Sequence, residues 1–357
     1  MNVNPTLLSR RLEAVPAAQI VAAAAAAIAL IGVVDHLTGT VVSLAILYLL
    51  PVAATAWLVG SRAAYALAAF AAITWAVADR IGPLAEPKAR LAYLNDLSLL
   101  GVFVIVILVI GVLRREVRKQ RDLIQEVQRH LLPDALPHAQ DLDIASRWIP
   151  AWTVAGDYYD VIECGEGRVA VCLADVSGKG IAAALIMSNV QAIVRSVASD
   201  RRHAPDRLLA TLNRLLCERL RRGLFVTVFF AIIDTRNGTL SFANAGHPPA
   251  LLRRRDGSIE RLQSTGPVAG MLPAAAYRCL DVPWADGNCI VVYSDGVTEY
   301  ENRAGEQFGE ARLSALVASS AHGTAEEVCE GIRRALHGYG NGKPFDDDLT
   351  MLVALSR

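Results

Sequence analysis

The stretch F-V-T-V-F-F-A-I-I-D-T-R-N-G-T-L-S-F-A-N-A-G-H-P-P, Phe225 to Pro249, decides the fold. Two runs rich in Val, Ile and Phe, 224–234 and 239–244, read as strands. Asn237-Gly238 between them is the dipeptide of a tight hairpin, and Asp256-Gly257 gives the same signal further on. Working outward, further strand-like runs fall at 143–149, 168–174, 288–293 and 349–355, and helical patterns at about 180–199, 205–222, 309–319 and 324–337. Strands joined by hairpins, with the helices grouped separately, predict an α+β domain of antiparallel sheets covered by helices and not a doubly wound parallel sheet.

The 357-residue chain changes character near residue 113. Before that point, apolar stretches at about 16–34, 41–59, 63–78 and 97–113 each approach the roughly 17–25 residues that a spanning helix needs. A signal peptide would account for the first alone, so about four retained spans are expected over residues 1–113. Arg10 and Arg11 precede the first stretch, Arg62 lies between the second and third, and Arg114, Arg115, Arg118, Lys119 and Arg121 follow the fourth. The 35–40 connection has no Lys or Arg, while 79–96 mixes Arg80, Lys88 and Arg90 with Asp79, Glu86 and Asp96. This pattern places both ends of the region in the cytoplasm. Asp35 and His36 read either as a polar sensing site at the membrane or as a short wet loop, and Pro51 predicts a kink.

A linker helix is expected over 114–132, ended by Leu132-Pro133. Leu113, Val117, Ile124, Val127 and Leu131, with Gln120 at the remaining position, keep heptad spacing. The stripe suits a dimerising coiled coil or an ordinary packing helix, and the two are compatible.

Lys+Arg and Asp+Glu both number 35, so there is no basic footprint for nucleic acid. The six cysteines (Cys164, Cys172, Cys217, Cys279, Cys289, Cys329) include no C-x-x-C pair, which argues against a disulfide framework or structural zinc and for a reducing compartment.

The chemistry lies in five blocks of the region beyond Pro133: A-G-D-Y-Y-D at Ala155–Asp160, A-D-V-S-G-K-G-I-A-A-A-L at Ala174–Leu185, the opening stretch, V-V-Y-S-D-G-V-T-E at Val291–Glu299, and D-D-D-L-T-M-L-V at Asp346–Val353. Apolar strands that end in carboxylates can hold hard divalent cations, which prefer oxygen ligands. Asp175 is placed to bridge two ions, with the Val176 carbonyl as a further ligand. Taken singly, an Asp-Gly such as Asp295-Gly296 is more often a turn than a ligand. Gly178-Lys179-Gly180 also invites a phosphate-loop reading, but it lacks the spacer and the following Ser or Thr of such a loop.

Taken in order, G-D-Y-Y-D, D-V-S-G-K-G-x-A-A-A-L, A-N-A-G-H-P-P, S-D-G-V-T-E and D-D-L-T resemble the metal-dependent protein phosphatase 2C superfamily, in its bacterial SpoIIE/RsbU branch. The resemblance runs from about Gln128-Arg129-His130-Leu131-Leu132-Pro133 to the end. It implies a four-layer α-β-β-α sandwich over 133–357, with two Mn(II) or Mg(II) ions at one edge of the sheets. By motif, Asp157, Asp175, the carbonyl of Val176, Asp295 and Asp347 would bind them and carry catalysis, and Asp348 is the alternative to Asp347 because the acidic run leaves register open by one. Ala155 stands where relatives commonly have Gly, and Ser177 where eukaryotic relatives carry a His proposed as general acid. His247 reads either as a substitute acid or as a cap on its turn. Asp160 and Glu299 read as supporting residues.

The resemblance implies a membrane-anchored protein serine/threonine phosphatase with a cytoplasmic catalytic domain, acting on a phosphorylated protein, an anti-sigma-factor antagonist by analogy. A homodimer is expected through the linker. The competing readings are a catalytically silent phosphoprotein-binding module and an ATPase using Gly178-Lys179-Gly180.

Overall fold

The computed structural model describes residues 15–38, 44–81, 91–133, 136, 141–165, 167–198, 204–221, 223–320 and 323–357. Arg10, Arg11, Glu86, Lys88 and Arg90 of the topology argument lie outside these residues. The chain divides into two compact units, Met1–Arg121 and Asp122–Arg357. The division falls within the expected 114–132 linker.

The first unit is helical: α1 (Ala17–Thr38), α2 (Leu49–Leu58), α3 (Ser61–Ile81) and the start of α4 (Leu91–Arg129). Among its described residues, Ala17–Leu37, Ser61–Ala78 and the stretch from Leu97 are long and apolar enough to cross a membrane, whereas Ala45–Leu58 is a shorter apolar segment. The second expected span is thus a 3-10 turn, Ala45–Tyr48, followed by a ten-residue helix. Pro51 stands in the first turn of α2, where its missing N–H costs no helical hydrogen bond, and so produces no mid-helix kink. Asp35 and His36 lie in the last turn of α1 and not in a loop; Asp35 is buried, and the Tyr48 hydroxyl donates to its Oδ2 at 3.5 Å. Arg114 donates to the carbonyls of Ala56 and Leu58 at 3.4 and 3.3 Å, satisfying orphan carbonyls at the end of α2.

The second unit contains two five-stranded sheets. One has the order β1 (Leu142–Ile149), β10 (Leu349–Ser356), β9 (Cys289–Tyr293), β6 (Ala250–Arg253), β7 (Ile259–Leu262). The other has the order β2 (Tyr158–Gly165), β3 (Arg168–Val176), β4 (Val226–Asp234), β5 (Thr239–Ala245), β8 (Leu280–Pro283). All neighbouring strands pair antiparallel.

Strand alternation makes the layers. In β3, Val171 and Leu173 enter the core between the sheets, while Ala170, Cys172 and Ala174 face α5 (Ile181–Ala198) and α6 (Pro205–Arg219). In β10, Leu352 and Ala354 enter the same central core, while Met351 and Val353 pack under α8 (Gly309–Ser319) and α9 (Ala325–Tyr339), which follow the one-turn α7 (Asp295–Thr298). The result is the expected α-β-β-α sandwich. Phe229 and Phe242 stack at 5.8 Å in its centre, each side chain worth about 1.5–3 kcal/mol on burial.

α5 also has the length and apolarity of a span, but its stripe Ala183, Met187, Val190, Val194 and Ala198 is used against the sheet. The β4–β5 hairpin turns at the expected place: Gly238 takes φ +62°, and Asp234 accepts from the backbone and side-chain nitrogens of Asn237 at 2.9 Å. Thr324 and Glu327 form a reciprocal capping box that starts α9.

Candidate active site

Register brings the acidic blocks to one end of both sheets. Tyr158 pairs with Ala174 across β2 and β3, so Asp157, just before β2, comes beside Asp175 near the end of β3. In the other sheet, β9 ends at Tyr293 opposite Met351 of β10, which carries Ser294-Asp295 and the Asp346-Asp347-Asp348 run to the same end. Asp295 lies in a single helical turn and not in the loop turn that an Asp-Gly pair usually marks. It opens α7, with Ser294 in extended backbone at the N-cap position.

Hydroxyls and amides fix the carboxylates. The Thr350 hydroxyl donates to Asp157 Oδ2 at 2.5 Å, joining one sheet to the other. Ser294 Oγ accepts from the Thr350 amide at 3.0 Å and donates to the Asp348 carbonyl at 3.2 Å. Asp348 accepts from the backbone amides of Ala151 and Gly156, both at 2.8 Å, and so tethers the loop that leads to Asp157. Asp347 accepts from Lys179 Nζ at 2.7 Å and from the Asp348 amide at 2.9 Å.

Two glycines allow this approach. A Cβ on Gly296 would stand 2.1 Å from the Asp348 carbonyl oxygen, and one on Gly156 would stand 3.0 Å from the Val176 carbonyl oxygen. Small residues are required where backbone meets backbone this closely.

The carboxylates are close enough to disturb one another. Burial, with Asp175 and Asp348 adding to it, pushes Asp157 well above the ordinary carboxylate range. Burial, then the charges of Asp295, Asp347 and Asp348, pushes Asp175 up to about 7. Asp295 rises to about 6 through burial, Glu299 and Asp347, with Lys179 acting against the shift. Asp348 is raised chiefly by burial, against the pull of its two backbone amides. Among the described residues no group of three or more His, Cys, Asp or Glu side chains converges on a single point at ligating geometry. The donor set nevertheless has the chemistry of a hard divalent site: oxygen atoms only, from the buried Asp157 to the partly exposed Asp347, and carboxylates whose charges repel until a cation neutralises them.

Asp157, Asp175, Asp295 and Asp347, with Val176, thus fall in one neighbourhood, and Asp348 with them. His247 does not supply an obvious acid. Its ring is buried and its Nδ1 lies 2.8 Å from Thr227 Oγ1, while Asn244 takes both its backbone N–H and its carbonyl, so it holds the turn. Burial lowers its pKa to about 3. Asp160 is an internal strut: it accepts from Tyr158 at 2.6 Å and from Arg195 at 2.7 and 3.0 Å. Glu299 reaches the site through its charge on Asp295 alone.

Sequence reasoning passed over two residues. Gln128, at the end of α4, donates from Nε2 to the Ala155 carbonyl at 2.7 Å and accepts from the Ala155 amide at 3.0 Å. Lys179 figures in the sequence only as part of a Gly-Lys-Gly phosphate-loop pattern. Gln128 lies outside the heptad stripe, so its burial was the missing signal; Lys179 could have been found as the one basic residue of the Ala174–Leu185 motif, four residues after Asp175 and between two glycines.

The sandwich and its acidic end define a domain of the phosphatase 2C fold. The SiaA-PP2C domain of Pseudomonas aeruginosa superposes with a TM-score of 0.61 at 22% identity, covering 68% of this chain and 98% of that one. The model of the family "Stage II sporulation protein E (SpoIIE)" matches residues 165–356, more than half of the chain, and the chain belongs to that family. Protein IcfG of Synechocystis is 30% identical over 269 residues, covering 68% of this chain and 42% of IcfG. Phosphoserine phosphatase RsbU of Bacillus subtilis is 29% identical over 242 residues, covering 68% of this chain and 71% of RsbU.

Proposed function

We propose that the chain is a membrane-anchored, Mn(II)- or Mg(II)-dependent phosphatase that hydrolyses phosphoserine or phosphothreonine on a protein, with an anti-sigma-factor antagonist as its substrate. The observation that carries this reading is the gathering of Asp157, Asp175, Asp295 and Asp347 at one end of two sheets, where burial and neighbouring carboxylate charges raise Asp157, Asp175 and Asp295. Family membership and likeness to RsbU support the reaction class.

Asp157, Asp175, the Val176 carbonyl, Asp295 and Asp347 would hold two ions. Such ions, when bound, activate a water for in-line attack on phosphorus and neutralise charge on the phosphoryl oxygens. The protein's own residues prepare the place. Thr350 orients Asp157, Asp348 anchors the loop before it, and Gly156 leaves room for the Val176 carbonyl. Asp348 has both oxygens committed to the backbone amides of Ala151 and Gly156, whereas one oxygen of Asp347 is held only by the side chain of Lys179, which can move away, and this favours Asp347 as the ligand of the acidic run.

The three long apolar helices of the first 129 residues support membrane anchorage, with the catalytic unit in the cytoplasm. Leu113, Val117 and Val127 are exposed along α4, which supports dimerisation through the linker.

The test is phosphate release from a phosphoserine protein by the detergent-solubilised full chain with added Mn(II). Metal-dependent release that Asp295→Asn abolishes is expected. Metal-independent release, or full activity in the variant, contradicts the mechanism, and a chain that binds the phosphoprotein without turnover is the silent module.

A further inference from the structure

Lys179 sits at the rim of the acidic site in an unusual setting. It is held between Gly178 and Gly180, whose φ values of +96° and +79° belong to the left-handed region, and a Cβ at either glycine would meet nothing within 4 Å. The turn therefore adopts a conformation that suits glycine at both positions and leaves open space beside both glycines. It is anchored behind Lys179 by Ser177, whose amide donates to the Phe225 carbonyl at 2.9 Å and whose hydroxyl accepts from the Phe225 amide at 2.8 Å. A long cationic side chain thus projects from a turn anchored at Ser177, four residues after Asp175, and is close to half exposed.

The ammonium points into the site. Nζ donates to Asp347 Oδ2 at 2.7 Å and to the Asp346 carbonyl at 3.2 Å, and its charge acts on Asp295 and Asp348 as well. An exposed Lys–Asp pair contributes little to stability. Its placement gains meaning from what the site must receive. A phosphate monoester is a dianion and meets a cluster of carboxylates, so cations must outweigh them. If Asp347 turns its charge to a divalent ion, the ammonium loses its strongest partner and remains on a short tether beside the same ion.

We infer that Lys179 is a substrate-binding residue: its Nζ leaves Asp347 and donates to a non-bridging phosphoryl oxygen of the phosphate monoester. This rests on the phosphatase reading of the site. Lys is suited to the task as a mobile point charge with three donors. No proton or bond is exchanged in the step; one ion pair replaces another. The separate Gly-Lys-Gly phosphate-loop reading fails on its spacing, yet the same Lys serves phosphate from the rim of the carboxylate site.

The experiment uses the full chain in detergent, as wild type, Lys179→Met and Lys179→Arg, loaded with Mn(II). Inorganic phosphate is titrated calorimetrically, KM and kcat are read on a phosphoserine protein, and Mn(II) affinity is measured in the absence of phosphate. Lys179→Met is expected to weaken phosphate binding and raise KM about tenfold, the scale of one charge-assisted hydrogen bond. Lys179→Arg is expected to recover most of the loss, and Mn(II) is expected to bind Lys179→Met at least as tightly as wild type, because a competing cation has gone. Unchanged phosphate affinity in Lys179→Met, or weaker Mn(II) binding as the only effect, overturns the inference and leaves Lys179 as a tether for Asp347. Absence of phosphate binding to the wild type also overturns it. Lys179-dependent phosphate binding without turnover of any phosphoserine protein would retain this inference and refute the phosphatase reading.

Discussion

Gln128 and Ala155 are joined by a reciprocal pair of hydrogen bonds, 2.7 Å from the side-chain amide nitrogen to the Ala155 carbonyl and 3.0 Å from the Ala155 amide back to the side-chain oxygen. Both residues are buried, and Ala155 is two residues before Asp157. The end of the linker helix is in this way bonded to the loop that carries a proposed metal ligand. Gln128→Ala leaves a buried N–H and a buried C=O without partners, at a cost of about 2–4 kcal/mol. The variant is expected to unfold at lower urea and to bind Mn(II) more weakly. Unaltered Mn(II) affinity would show that the pair braces the fold without positioning Asp157.

Gly296 is expected to be intolerant of any side chain. Its Cβ would lie 2.1 Å from the Asp348 carbonyl oxygen, so Gly296→Ala must shift the acidic run, with a loss of about 1–3 kcal/mol and weaker Mn(II) binding. Gly338, inside α9 with nothing within 4 Å of its Cβ position, is the control: Gly338→Ala is expected to be neutral or to stabilise by about 0.5–1 kcal/mol. Thermal melts of the two variants decide the comparison, and equal melting points would contradict the close approach.

Asp160 is expected to matter for stability and not for metal. It is fully buried, and Arg195, its charge partner, is 47% exposed. Arg195→Met leaves the buried carboxylate with Tyr158 and the Val161 amide alone. Solvent reaching the Arg195 side discounts the usual cost of breaking a buried pair, to about 1–3 kcal/mol. Mn(II) binding is expected to survive both Arg195→Met and Asp160→Asn. Loss of binding in Asp160→Asn with the fold intact would make Asp160 a ligand.

The buried His247 sets a pH dependence of stability. Its folded pKa, about 3, lies below the ordinary value of about 6.5, so between these the unfolded chain takes up a proton that the folded one refuses. The stability it confers is present in full above about pH 6.5 and is lost as the pH falls toward 3. Urea midpoints measured from pH 7 to 4 are expected to fall more steeply in the wild type than in His247→Gln. Parallel curves would show that the ring is not the group responsible.

Much of the sandwich was legible because its strands bury one face on each of two cores. The alternation in β3 and β10 and the Asn237-Gly238 turn left little freedom. β2 escaped notice because the buried Asp160 interrupts its apolar pattern, and its charge is answered by Arg195, thirty-five residues away. Asp295-Gly296 read as a turn because an Asp-Gly pair is common there, whereas the backbone of Asp348 requires glycine for another reason. Asp35 read more readily as a residue of a short wet loop, since the Tyr48 hydroxyl that meets its carboxylate lies thirteen residues on. Of the site, the carboxylates were marked by their places at strand ends, while Gln128 depends on a contact that spans twenty-seven residues and leaves no local trace.

The most direct measurement is a calorimetric titration of Mn(II) into the solubilised full chain and into Asp175→Asn, which removes the charge that Asp157, Asp295, Asp347 and Asp348 surround. Two ions are expected to bind the wild type, with binding abolished or weakened by orders of magnitude in the variant. Equal binding by the two proteins, or no binding to the wild type at millimolar Mn(II), would contradict a metal centre built on these carboxylates.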